Sequence, residues 1–380
     1  MDLRKPMLAA LAPCAMLLLL EIAFRIGGFP HGYFAGVFPP AEGQYPKNAE
    51  MRMTWGPIPY VVHSNNLGLR GPDITLEKKE HTVRIATIGD SITDGFFVDN
   101  EHTWQHYLTE ILNDSSGIPQ EVVNCARGGG SIDVAFFQFS EHALPLDPDV
   151  VILTFVSNDI FEILDRSEEE LLHYQRRANL QFRASLRRFL LTKTALGEAI
   201  YDAYLFVRFR SYRKKRSMMK RPAEERYKLS GALEFRRNAE FFLDFFGKMD
   251  KIVLGDAFDD QTARAIDRYV AVLGKMSEVC REEKIRLIFV YFPAYSQIYI
   301  PDSSLLINET FREACERLDV GFLDLTPGFR EAAKRGEALH LVPVDFHPNP
   351  AGNRVFAQVL GDYLKKGESG SASLFPRKPG

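Results

Sequence analysis

Cysteine is scarce in this chain. The four present, Cys14, Cys125, Cys280 and Cys315, form no C-x-x-C pair, which speaks against zinc-ribbon and thioredoxin-type motifs. Cys14 falls in an apolar stretch and leaves an odd three, so a disulfide framework is not expected. A surplus of one charge is missing too. The formal net charge is −3, which excludes a globally basic nucleic-acid binder. Internal repeats are absent. Long apolar runs are absent but for one, at Met7–Leu20, which continues unevenly through Ile22, Ala23 and Phe24. What remains is an ordinary globular composition, 46% hydrophobic and 26% charged over 380 residues, enough to bury a full core.

The apolar run follows Arg4 and Lys5, is interrupted by Glu21 and is closed by Arg25. Three readings fit it: an uncleaved signal anchor, a secretory signal removed after export, or a buried helix. No small-x-small cleavage pattern follows, so residues 1–25 are read first as a membrane anchor. Positive charge ahead of the run places the body on the extracytoplasmic side, with secretion after cleavage as the alternative. A lipoprotein anchor at Cys14 is not supported, because Pro13 precedes it.

Residues 26–80 are rich in Gly, Pro and Asn and read as a linker with extended pieces. Alternation then begins. Strands are predicted at 83–89, 121–125, 150–156, 286–291 and 320–324, with helices at 102–112, 132–144, 262–283, 306–318 and 349–365. Strands alternating with helices predict α/β architecture: a three-layer α/β/α sandwich on a five-stranded parallel sheet. The run Val150–Val156 is nearly continuous apolar, as in a strand covered on both faces. A long helical insertion at 161–255 interrupts the domain, which otherwise spans 81–366. The tail 367–380 has the composition of a disordered segment.

Polar sequence collects at the carboxyl ends of the strands, where open parallel sheets build their sites. Gly89-Asp90-Ser91-Ile92-Thr93 follows the first strand, Asn124 to Gly130 the second, and Ser157-Asn158-Asp159 the third. Asp345-Phe346-His347-Pro348-Asn349 precedes the last helix. A serine, a Gly-rich turn, an asparagine and a histidine on one edge are what acyl transfer requires: nucleophile, base and oxyanion donors. Each has a plainer reading as well. Ser91 could cap a helix, the glycines could serve backbone angles, and Asp90 suits a turn better than catalysis.

These four blocks, in this order, resemble the SGNH/GDSL hydrolases over about residues 82–366, the insertion apart. The resemblance implies a flavodoxin-like sheet and ester hydrolysis without metal or cofactor. It implies Ser91 as nucleophile, His347 as base, and an oxyanion hole of the Ser91 and Gly129 amides and the Asn158 side chain. Two positions depart from the family. Val156 stands where a glycine is usual. Val344 stands where the triad acid is usual, and Asp345 is one residue closer to the histidine. Either the turn lets Asp345 reach His347, or another carboxylate serves, or a carbonyl orients the ring.

The insertion is basic. Leu186, Phe189, Leu190, Leu196, Ile200, Tyr204 and Val207 recur at helical spacing, beside Arg187, Arg188, Lys193, Arg208, Arg210 and the run Arg213–Arg216. Such a helix packs its apolar stripe on the core or lies on an anionic membrane or over the substrate. Asn65–Arg70 is turn-like, with a cleft-edge role as alternative. Asn113 and Asn308 sit in glycosylation sequons. The expected substrate is an acylated small molecule, glycan or lipid. A glycan O-acyltransferase and a silent anchored binding protein are the competing functions, and no nucleic-acid partner is expected.

Overall fold

A computed structural model describes residues 4–28, 45–53, 58–115, 117–172, 194–208, 252–300, 302–341 and 345–369. An N-terminal helix, α1 (Arg4–Ile26), is followed by an antiparallel hairpin of β1 (Ala49–Met53) and β2 (Tyr60–Ser64). The sheet comprises β3 (Val83–Ile88), β4 (Gln120–Asn124), β5 (Val150–Phe155), β6 (Arg286–Tyr291) and β7 (Gly321–Asp324). All its pairings are parallel and its order is β4-β3-β5-β6-β7. That is the expected five-stranded parallel sheet, and its chain order reverses at β3, the topological switch where open sheets bind ligands.

Two cores enclose the sheet, because successive strand residues point to opposite faces. Ala86, Leu153 and Phe289 face one core, with the helices Ile132–Gln138, Asp260–Glu282 and Leu306–Leu318. Ile85, Ile152 and Val290 face the other, with the helices Trp104–Ser115, Thr326–Lys334 and Pro350–Ser369. β3 and β5 are buried at every position, which is why Val150–Val156 carries no polar alternation.

The segment before the sheet is more than a linker. Tyr45, Met51, Met53, Ile58, Tyr60 and Val62 form a third buried cluster with Phe97 and Leu341. Arg70 ties it down. Its Nη1 donates to the carbonyls of Asp94 and Gly95 at 2.9 and 2.6 Å, and its Nη2 donates to that of Val98 at 2.5 Å. Asn65 Oδ1 accepts the Leu67 and Leu69 amides at 2.9 and 3.0 Å. Asn65–Arg70 is therefore a structural corner.

Asn308 does not suit a glycan: it is buried, and its amide donates to Asp324 at 2.8 Å. The four cysteines are free thiols. Of the insertion, only 161–172, 194–208 and 252–255 are described, so Leu186 to Leu190, Lys193 and the basic run from Arg210 to Arg216 lie outside the described residues. The last helix runs to Ser369, and 370–380 lie outside them too.

Candidate active site

β3 stops at Gly89, whose φ of +147° sets the chain into a sharp turn. A Cβ there would stand 2.6 Å from Thr93 Oγ1 and 3.0 Å from the Thr154 carbonyl. Glycine is the residue that allows the strand to turn this tightly into a helix. Asp90 caps the helix α2 (Ser91–Asp94), its carboxylate accepting the Ile92 N–H at 2.9 Å. With Asp90 as the cap, the Ser91 hydroxyl is free of that duty.

The hydroxyl meets His347. Ser91 Oγ lies 2.8 Å from His347 Nε2, across 256 residues of sequence. On the far side of the ring, His347 Nδ1 lies 2.5 Å from Asp345 Oδ1, and the same oxygen accepts the His347 backbone N–H at 2.9 Å. The two-residue spacing thus places carboxylate and imidazole on one side of the chain, while Phe346 points away and packs edge-on against Tyr295. The loop is pinned by the His340–Pro348 bridge and by the Leu341 N–H on the His347 carbonyl at 3.0 Å. Phe96 stacks near the ring at 5.8 Å and Phe97 meets it edge-on at 5.0 Å.

This geometry sets the tautomer. A carboxylate can only accept, so Nδ1 carries the proton and Nε2 presents its lone pair to the Ser91 hydroxyl. The electrostatics agree. Burial pushes the Asp345 carboxyl up, but the His347 ring and the N–H bonds outweigh it and hold it below its ordinary range. Burial would pull the imidazole down, yet the Asp345 charge prevails and holds it above the usual value. Two neighbouring carboxyls go the other way. Burial raises Asp90, and it raises Asp159 well above the carboxylate range. His340, buried near this pair, is pushed down to about 3 by desolvation first and His347 second. Of these three carboxyls, Asp345 alone is held below its ordinary range, by the His347 ring it faces.

The other two candidates flank this relay on loops of their own. Gly129 and Gly130 have φ of +87° and +90°, so the turn after β4 requires glycine. A Cβ on Gly128 would sit 2.0 Å from the Phe96 ring, whereas one on Gly129 would meet nothing within 4 Å. The Gly128 N–H donates to Asp94 Oδ2 at 2.8 Å. Asn158 opens the short helix Asn158–Glu162, and its side-chain amide is shared between Glu162, at 3.4 Å, and Asp90. Two further residues brace the turn and carried no sequence signal. Gln138 bridges Gly89 and the Arg127 carbonyl, accepting from the Gly89 N–H at 2.9 Å and donating to the two carbonyls at 3.0 and 3.3 Å. Asp94 is the second. Among the described residues no cluster of three His, Cys, Asp or Glu is placed to hold a metal ion.

Comparison with known proteins places this site in context. The profile of the GDSL-like lipase/acylhydrolase family matches residues 85–360, which contain every strand of the sheet but the first two residues of β3. No curated protein matches. Among solved structures, an acetylxylan esterase from Geobacillus stearothermophilus is similar at 13% identity and a TM-score of 0.41, over 78% of this chain and 97% of that one. A two-domain esterase active on acetylated mannans, co-crystallised with mannopentaose, is similar at 13% and 0.41, over 79% of this chain and 52% of that one. A protein described as TesA is similar at 11% and 0.39, over 74% and 98%.

Proposed function

The chain belongs to the GDSL-like lipase/acylhydrolase family, and from that premise we propose that it cleaves carboxylic esters of an acylated glycan or lipid through an acyl-Ser91 intermediate. The observation that carries this reading is the unbroken relay Asp345–His347–Ser91, with contacts of 2.5 and 2.8 Å. Ser91 Oγ attacks the acyl carbon as its proton passes to His347 Nε2. The resulting imidazolium is stabilised by Asp345. His347 then hands the proton to the departing alcohol oxygen. Water, deprotonated by the same nitrogen, attacks the acyl-enzyme, and the carboxylic acid and free Ser91 are regenerated. The oxyanion of each tetrahedral intermediate is held by the Ser91 and Gly129 backbone amides and the Asn158 side chain, each worth about 3 kcal/mol. For Asn158 this role means exchanging a carboxylate partner for the oxyanion.

A fluorophosphonate probe tests the reading. The full-length protein is expected to be labelled on Ser91, located by peptide mass spectrometry, and labelling is expected to abolish hydrolysis of p-nitrophenyl esters. Labelling elsewhere, or full turnover after stoichiometric labelling, sinks it. A panel of acetylated sugars, short aryl esters and long-chain esters then identifies the acyl group and the alcohol. Inclusion of a sugar acceptor separates hydrolysis from transfer.

The same proposal holds the enzyme at a membrane through α1, with the catalytic body extracytoplasmic. Among the described residues no helix is long and apolar enough to cross a membrane. What supports the reading is the surface: Met16 to Leu20, Ile22 and Ile26 are exposed on α1. Glu21 accepts the Ala195 and Leu196 amides at 3.0 and 2.9 Å, joining α1 to the helix Ala195–Arg208, whose Ile200, Tyr204 and Val207 are exposed as well. Deleting residues 1–25 is expected to move the protein from the membrane pellet to the soluble fraction. Full-length protein recovered from cytosol overturns it.

A further inference from the structure

Asp94 is a fully buried carboxylate that none of these chemical steps uses. It ends the one-turn helix that Ser91 begins. Its main chain is fixed at both ends: the N–H donates to the Asp90 carbonyl at 2.9 Å, and the carbonyl accepts Arg70 Nη1 at 2.9 Å and Asn124 Nδ2 at 3.4 Å. Its side chain gathers groups from two other parts of the chain. The Tyr45 hydroxyl donates to both oxygens, at 2.9 and 3.1 Å, and the Gly128 N–H donates to Oδ2 at 2.8 Å. Arg127 completes the cluster. Its Nη1 is 3.9 Å from Oδ2, and its guanidinium lies 3.5 Å over the Tyr45 ring.

A buried charge is tolerated only where partners replace its water, and here one of the partners is the glycine turn itself. Three successive glycines have no side chains with which to hold a conformation. The Gly128 N–H bond to Asp94 supplies a fixed point one residue before Gly129, the proposed oxyanion donor.

We infer that Asp94 is a positioning residue: its carboxylate locks the Gly128–Gly130 turn to the helix bearing Ser91, and Tyr45, from the segment ahead of the sheet, aims that carboxylate. The inference rests on the reading of Gly129 as an oxyanion donor. Misplacing such a donor by about 1 Å costs on the order of a hundredfold in rate. The loss falls on the transition state, because the ground-state ester does not need the donor at that position.

The test is a set of variants in the full chain, each measured for kcat, KM and melting temperature with an aryl ester. Asp94→Asn keeps the shape but weakens the acceptor; kcat is expected to fall about 10- to 100-fold with KM within threefold. Tyr45→Phe is expected to lower kcat about fivefold in the same sense. Leu364→Ala opens a cavity in the core beneath the last helix, away from Tyr45 and Asp94, and is expected to lower the melting temperature while leaving kcat within twofold. If Leu364→Ala lowers kcat as much as Asp94→Asn at equal loss of stability, the role is structural and the inference falls. It falls too if Asp94→Asn keeps kcat within twofold. Should Asp94→Asn not fold, Tyr45→Phe decides by the same twofold limit. Ser91→Ala is run beside them. Retained turnover there overturns the acyl-Ser91 reading and the inference with it, whereas a dead Ser91→Ala beside an unaffected Asp94→Asn overturns the inference alone.

Discussion

Ser91→Ala is expected to lower kcat by about four to six orders of magnitude while the melting temperature barely moves. The asymmetry follows from the local structure. Asp90 caps the helix that Ser91 opens, and the serine hydroxyl lies 2.8 Å from His347 Nε2 and beside Asp90. Removing the hydroxyl therefore deletes the nucleophile without unsatisfying a helix end. Chromogenic ester turnover and thermal melting on the same preparation check both halves. Activity close to wild type rules out Ser91 as the nucleophile. A collapse of stability shows that the serine supports the fold.

Asp345→Asn is expected to cost about three to four orders of magnitude in kcat, since the ring loses both its tautomer and the charge that stabilises the imidazolium. Its pH profile carries a second, independent signature. The reaction needs neutral His347, so kcat/KM falls as pH drops through the imidazole pKa. Asp345 holds that pKa above the ordinary value, against the downward pull of burial. The acid limb of the wild type is thus expected above about pH 6.5, the reference for imidazole. Without the carboxylate the larger upward pulls are gone and desolvation outweighs what Asp90 still contributes, so the limb is expected to move to lower pH even as the plateau falls. A loss smaller than tenfold, or an unmoved limb, removes Asp345 as the partner of His347.

The sheet was legible because its strands are buried on both faces. Val83–Ile88 and Val150–Phe155 are buried at every position, their Arg84, Thr87 and Thr154 included, and each is followed by residues of the site. Ser91 and His347 were legible for the same reason: they stand where strands and helices exchange. The contact between Asp345 and His347 was only half legible. Sequence periodicity allows residues two apart to share a side, but whether they meet depends on contacts such as the Leu341 N–H on the His347 carbonyl. Tyr45, Arg70 and Asp94 were not legible. Each acts on a group 24 or more residues away, and no local pattern records a contact of that range. The segment ahead of the sheet resembles a linker for a related reason. Its Gly and Pro content hides the pairing of β1 with β2, and the cluster that buries it draws on the distant Phe97 and Leu341.

Leu341, near one end of the catalytic domain, packs with Tyr45 and Met51, ahead of its first strand. Ser91 and His347 are likewise separated by 256 residues. Bringing such distant residues together carries the entropy of closing long loops, so the relay and the cluster both depend on the two ends of the domain meeting. A chain truncated at either end loses part of the arrangement: without the segment from Tyr45 to Val62 the cluster lacks its hairpin, and without residues 345–347 Ser91 has no imidazole beside it.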